Sequence, residues 1–296
     1  MNAVLEDQPR ARRTRLATSP GASEMAFLDF GPPERAPDLV FLHANGFNAR
    51  TYRAILGPLA ATLRILAPDQ RGHGASTLPT DYPRASWFDL KYDLLAFLDA
   101  MGIDRVALAG HSMGATTSLL AAGEAPGRVR ALALFDPVVR PPGPLQASPE
   151  AISASAMVRG TARRRRAFPS RAAATESYRG RGAFRTWTEA MVEDYVAAGF
   201  LDLPDGTVTL ACAPEWEVSN YLAQDHDVWT AFEASRCPIR ILRAEHESPG
   251  RLDEGMDRLM ATGRVRVDRV PDTTHFLPME RPDLVREAIL EAVSAP

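Results

Sequence analysis

Six short apolar runs punctuate the chain, and this spacing most constrains what it can fold into. They are Leu39–Leu42, Leu63–Ala67, Val106–Ala109, Ala131–Phe135, Ile239–Leu242 and Val265–Val267. Such runs are too short for helices and lack sustained polar alternation, which suits strands buried on both faces of a parallel sheet. Between the second and third, Trp87, Leu90, Leu94, Leu98 and Met101 recur at three- and four-residue intervals behind Ser86, with Asp89 three residues further on. That pattern predicts an amphipathic helix over 86–101 with Ser86 as its N-cap. Strands alternating with helices imply an α/β chain with a doubly wound, mostly parallel sheet, whose ligands bind beyond the carboxyl ends of the strands.

The alternation stops between about Arg140 and Phe232. Pro141, Pro142 and Pro144 open a strand-poor stretch there, and the sheet resumes near Pro238. The expected organisation is an N-terminal tail over 1–24, a core from 25–140 and 232–296, and an inserted helical cap over 141–231. Within the cap, 159–185 holds nine arginines against the single acid Glu176, while ten acidic residues elsewhere in the cap offset them. This favours a solvated, charge-balanced surface over an RNA or anion patch.

Composition narrows the function classes. The 296 residues carry 34 Lys and Arg against 37 Asp and Glu, a formal charge of −3, so no global field draws nucleic acid or anionic membrane. Two cysteines, Cys212 and Cys237, make neither a disulfide framework nor a metal-ligand pattern. The arginine-rich start lacks the apolar run of a secretory signal, and no stretch approaches the ~18 apolar residues of a membrane span. A cytoplasmic location follows as the expectation. Nothing in the pattern sets an oligomeric state.

The chemistry-bearing residues lie at strand ends. Gly110-His111-Ser112-Met113-Gly114 follows the run Val106–Ala109 and precedes the helix-forming segment 115–122. Gly-x-Ser-x-Gly occurs by chance in roughly one chain in ten of this length. At a strand-to-helix turn, however, it projects the serine hydroxyl above the sheet. A serine needs a base to take its proton. His275, in the loop Pro271–Met279 after the last run and before a helix over 283–293, is the candidate. The acid that orients it must follow Ser112, precede His275 and sit at a strand end. Asp136 and Glu247 both qualify, with Asp136 slightly preferred and Glu245 a lesser alternative.

With these motifs in order, the chain resembles the α/β-hydrolase fold superfamily, in particular its capped serine hydrolases: esterases, lactonases and carbon–carbon bond hydrolases. The resemblance also rests on Leu42-His43-Ala44-Asn45-Gly46-Phe47 after the first run and Pro68-Asp69-Gln70-Arg71-Gly72-His73-Gly74-Ala75-Ser76 after the second. It implies a small-molecule substrate, no cofactor, and an oxyanion hole from the backbone N–H groups of Asn45 and Met113, with His43 and Phe47 beside the substrate. Family members usually have Gly directly after this His. Here Ala44 intervenes, and Phe47 is the alternative donor.

Asp136 holds the acid position of a minority of that family, Glu247 that of the majority. Phe47, Met113, Trp187, Trp216 and Trp229 are expected to line the cleft. His43, His73 and His111 lie on separate turns without ligand spacing, so no metal site is expected. Two rivals share these residues: a cofactor-free haloperoxidase or perhydrolase, distinguished by peroxide-dependent halogenation, and a small-ligand binding protein on the same scaffold. Epoxide hydrolase and haloalkane dehalogenase chemistry is disfavoured, because those relatives place an aspartate where this chain has Ser112.

Overall fold

The computed structural model describes residues 8–19, 21–141, 149–223 and 225–296. The expected start of the tail, residues 1–7, and two of the prolines opening the insertion, Pro142 and Pro144, lie outside the described residues.

All six apolar runs are strands, joined by two at the N-terminal side: β1 (Arg10–Thr14), β2 (Met25–Phe30), β3 (Leu39–Leu42), β4 (Ile65–Pro68), β5 (Val106–His111), β6 (Val129–Phe135), β10 (Ile239–Ala244) and β11 (Val265–Val270). β7 (Ala167–Phe168), β8 (Phe200–Asp202) and β9 (Val208–Leu210) belong to the insertion. The main sheet has the order β1-β2-β4-β3-β5-β6-β10-β11. It is parallel from β4 to β11, and β1 and β2 pair antiparallel.

Strand period 2 explains why both faces are apolar. Leu39, Phe41, Ala107 and Ala109 join one buried cluster, and Val40, Leu42, Val106 and Leu108 join the other. Helix Pro282–Ser294 covers the first face with Val285, Ala288, Ile289 and Ala292. Helices Phe88–Ala100, Met113–Glu124 and Val228–Ala234 cover the second. The 86–101 helix begins slightly later than expected: Trp87 is its N-cap, and Ser86 Oγ reaches only the Phe88 N–H at 3.4 Å.

Two expectations need correction. The 1–24 segment is not simply a tail, because Arg10–Thr14 is the sheet's edge strand, in register with Met25–Asp29. Its arginines hold it there. Asp29 is fully buried, and Arg10 (2.9 Å), Arg12 (3.1 Å) and Arg64 (3.1 Å) all reach its carboxylate. An acid so deep requires such partners.

The insertion, in turn, is not purely helical. Its helices Ala156–Ala162, Arg171–Tyr178, Glu189–Gly199 and Pro214–Leu222 are joined by the antiparallel sheet β7-β9-β8. The hairpin turns at Pro204-Asp205-Gly206, where Gly206 has φ 83° and the Leu203 N–H donates to Thr207 at 2.9 Å. The arginines there pair with acids: Arg166 with Glu215, Arg171 with Asp202, and Arg179 with Glu176 and Glu189.

Candidate active site

Ser112 sits where β5 turns into helix Met113–Glu124, with φ 54° and ψ −119°. A non-glycine residue in this region stores about 1–3 kcal/mol of strain, which the surroundings must offset. The flanking glycines make the turn possible. A Cβ on Gly110 would lie 2.5 Å from the Gly114 backbone carbon, and one on Gly114 would lie 2.3 Å from the Leu42 carbonyl oxygen. Strand, turn and helix are too close for any side chain at either position.

His275 reaches Ser112 from the loop after β11. Its Nδ1–H donates to Asp136 Oδ2 at 2.6 Å, which leaves Nε2 to accept the Ser112 hydroxyl at 2.9 Å. Asp136 directly follows β6 and is fully buried. Its other oxygen accepts the Ala244 N–H at 3.0 Å and the Ser248 hydroxyl at 2.6 Å. A carboxylate gripped by three donors cannot swing away from the imidazole.

Glu247 is not brought to this group. It is exposed at φ 55°, and no hydrogen bond or ion pair joins it to His275 among the described residues. The loop after β10 contributes Ser248 and the Ala244 N–H instead, both aimed at Asp136. Glu245 is engaged elsewhere, accepting the Asp272 N–H at 2.8 Å and pairing with Arg269 at 3.3 Å.

The loop after β3 lies opposite. The Ala44 N–H donates to Tyr52 Oη (3.2 Å), the Gly46 N–H to His73 Nε2 (2.9 Å), and the Phe47 N–H to the Ala44 carbonyl (3.1 Å). The Asn45 N–H bonds to no group among the described residues, nor does that of Met113, at the first turn of its helix. Of the two donors open from sequence, Asn45 and Phe47, the second is therefore already spent.

Sequence reasoning gave His111 a structural, hydrogen-bonding reading rather than a metal one, and in the structure it links the two sides. Its Nε2–H donates to the His275 carbonyl at 2.7 Å, so its Nδ1 accepts the Tyr52 hydroxyl at 2.7 Å, and Tyr52 in turn holds Ala44. Burial pushes His111 down to about 3, reinforced by His275 nearby, and His43 down to about 4. Both rings are neutral scaffolding at neutral pH.

His43 was expected beside the substrate, and this is corrected. It is fully buried, donating from Nδ1 to the Ala44 carbonyl (2.8 Å) and accepting the Gln70 N–H at Nε2 (2.9 Å). With both nitrogens of His43, His73 and His111 committed, none has a lone pair for a metal. Among the described residues, the grouping with ligand spacing is Glu245, His246 and Asp272, away from these rings.

Ser112 and His275 open into a cavity of about 700 Å³. Phe47, Met157, Tyr178, Phe184 and Phe276 supply apolar wall. Of the other aromatics expected there, Trp187 packs behind Phe47 with ring centroids 5.3 Å apart. Trp216 donates to the Arg71 carbonyl and Trp229 to the Arg140 carbonyl. Met113 is wholly buried on the sheet's second face.

Fold and site together define an α/β architecture with a strained serine at a strand-to-helix turn and a histidine within hydrogen-bond reach of it. The chain belongs to the alpha/beta hydrolase family, whose model matches residues 39–288. It is 34% identical over 128 residues to a haloalkane dehalogenase of Agrobacterium fabrum, covering 41% of this chain and 39% of that protein. It is 35% identical over 102 residues to a 2-hydroxymuconate semialdehyde hydrolase of Pseudomonas sp. strain CF600, covering 33% of this chain and 35% of that protein. The chain thus spans well under half the length of these curated relatives. The solved structure of E-2-(acetamidomethylene)succinate hydrolase superposes with a TM-score of 0.79 over 97% of this chain and 100% of that one, at 21% identity. That likeness shows the fold. Among the described residues, no helix is long and apolar enough to cross a membrane.

Proposed function

We propose that this chain is a serine hydrolase that cleaves a small to medium, partly apolar carboxylic ester or related acyl substrate through an acyl-enzyme. The observation that carries the reading is the continuous relay from Asp136 through His275 to Ser112, at 2.6 Å and 2.9 Å, opening on a cavity. Ser112 Oγ attacks the substrate carbonyl carbon while His275 Nε2 takes its proton. The N–H groups of Asn45 and Met113 receive the charge that develops on the carbonyl oxygen. On collapse, the bond to the leaving alcohol breaks and His275 returns the proton to that alcohol. Water then attacks the acyl-serine with His275 again as base, releasing the acid and restoring Ser112.

Asp136 acts as the orienting acid, holding His275 in the Nδ1–H tautomer that leaves Nε2 free to accept a proton. Glu247 has no part in the relay. No cofactor enters any step. Residues 141–231 act as a cap, because Tyr178, Phe184, Arg164 and Glu217 face the same cavity as Ser112. The names of the relatives, which include hydrolases of several kinds, agree with a hydrolase but do not specify the bond.

The test is a panel of p-nitrophenyl esters of increasing acyl length beside labelling by a fluorophosphonate. Labelled wild type with ester turnover supports the reading. Folded protein that neither labels nor turns over any ester refutes it.

A further inference from the structure

The cavity lining also carries charged residues, and their charges do not balance. Arg164 and Glu217 form an ion pair there, their side chains only 21% and 6% exposed. The Arg164 guanidinium also donates to the Tyr195 hydroxyl, and Tyr195 donates to the Gly46 carbonyl at 3.3 Å. The bonds to Glu217 and Tyr195 use two of the five N–H groups of Arg164. The other three have no partner among the described residues.

Arg181 lines the same cavity from its exposed rim. Unlike Arg164, Arg166, Arg171 and Arg179, it has no acidic partner among the described residues. Arg164 and Glu217 cancel, so Arg181 leaves one net positive charge on the lining. The Tyr178 hydroxyl, also on the wall, makes no hydrogen bond among the described residues.

A buried ion pair is a costly way to build a cavity wall, since apolar side chains of the same volume are commonly no less stable. Its value lies in the oriented donors it presents. A planar guanidinium with free N–H groups matches a carboxylate in geometry, and the unpaired Arg181 matches it in charge.

We propose that the substrate is a monoanionic ester: an apolar chain bearing one carboxylate, which the cavity binds through Arg181 at the rim with the free N–H groups of Arg164 and the Tyr178 hydroxyl. This rests on the serine hydrolase reading for where the ester bond lies, but not for the binding preference. A neutral ester leaves Arg181 and the spare Arg164 donors facing only water. A dianion brings a second negative charge toward Glu217 without a second free cation.

Binding and fluorophosphonate labelling separate the two readings. Folded Ser112→Ala protein is titrated calorimetrically with monomethyl suberate and with methyl octanoate, which share chain length and differ by the carboxylate. The expected result is at least tenfold tighter binding of the anionic ester, lost in large part when Arg181→Gln is added and weakened by salt. Arg181 is exposed, so its replacement does not threaten folding. Arg181→Glu should reverse the preference. Equal or weaker binding of monomethyl suberate, or a preference unmoved by either Arg181 change, overturns the proposal. In wild type, loss of fluorophosphonate labelling with the anionic preference intact would instead refute the hydrolase chemistry alone.

Discussion

Acidification should destabilise this protein well above the pH at which most carboxylates titrate, because its central histidines are held neutral. His43 has both ring nitrogens committed and is lowered to about 4. His111 is lowered to about 3, and burial is the main cause in each. In the unfolded chain both return to the ordinary histidine value of 6.5. Between the folded and unfolded values the unfolded state binds more protons, so this stability is present above pH 6.5 and is lost as pH falls. From pH 7 to pH 5 each histidine loses about 2 kcal/mol, or about 4 kcal/mol for the pair.

Asp69 opposes them. Burial raises its carboxyl to about 6, so the folded state holds its proton more tightly, and the same pH drop returns about 1 kcal/mol. The net loss is about 2–3 kcal/mol. His73 and His226, both lowered by burial, add to the loss, and Asp93, raised by burial, subtracts from it. Urea unfolding followed by circular dichroism at pH 7 and pH 5, with the slope held common, measures the difference. Equal or greater stability at pH 5 would refute the buried-neutral assignment of these rings.

Ser112→Ala should abolish fluorophosphonate labelling and lower ester turnover by ~10⁴ or more, since nucleophile and base act as a unit. A labelled variant would place the nucleophile elsewhere. Asp136→Asn should cost ~10⁴ in turnover with folding retained, while Glu247→Gln stays near wild type; steady-state kinetics of the pair decide between the two acids. Tyr52→Phe removes the hydroxyl between Ala44 and His111, leaving a buried N–H and a ring nitrogen unpartnered at a cost of about 1–3 kcal/mol, read by thermal unfolding.

The sheet was legible because its strands are buried on both faces: an uninterrupted apolar run such as Leu39–Leu42 has few other stable uses. The edge strand was not. Arg10–Thr14 has no apolar pattern, and its pairing depends on Asp29, a buried acid that sequence cannot distinguish from a surface one. The small sheet of the insertion did have a signal, the Pro204-Asp205-Gly206 turn between Phe200–Asp202 and Val208–Leu210. It was masked by strands of only three residues, below the length at which alternation can be recognised.

At the site, the serine turn could be read because a local backbone demand accompanies it, and the histidine because it lies in the loop after the last apolar run. The choice between Asp136 and Glu247 could not, because both follow a strand and both carry a carboxylate. Only packing separates them: Ser248 and the Ala244 N–H turn toward Asp136, and Glu247 turns to solvent. The partners of His111 could not be read for a related reason. Its partners are Tyr52 and a backbone carbonyl 164 positions away, and no spacing in the sequence announces such a bridge.

The segment His43-Ala44-Asn45-Gly46 departs from the His-Gly start usual in the resembling family, and the structure gives the departure a physical basis. The Asn45 side chain does not face Ser112. Its Nδ2 donates to the Glu217 carbonyl at 2.9 Å, and its Oδ1 accepts from Asn220 at 2.9 Å, both on helix Pro214–Leu222 of the insertion. Asn220 is itself held by Arg84 and by the Trp87 indole N–H, which donates to its carbonyl at 3.0 Å. Gly46 completes the joint: a Cβ there would lie 2.4 Å from Glu217 Oε1, and its φ of 75° admits little else. The loop whose Asn45 N–H stays free is therefore anchored to the sheet through Tyr52 and His111 and to the insertion through its own amide. Glycine in place of Asn45 would keep the backbone group and lose the second anchor. In this chain the geometry of the N–H groups around Ser112 is consequently set by the insertion as well as by the sheet.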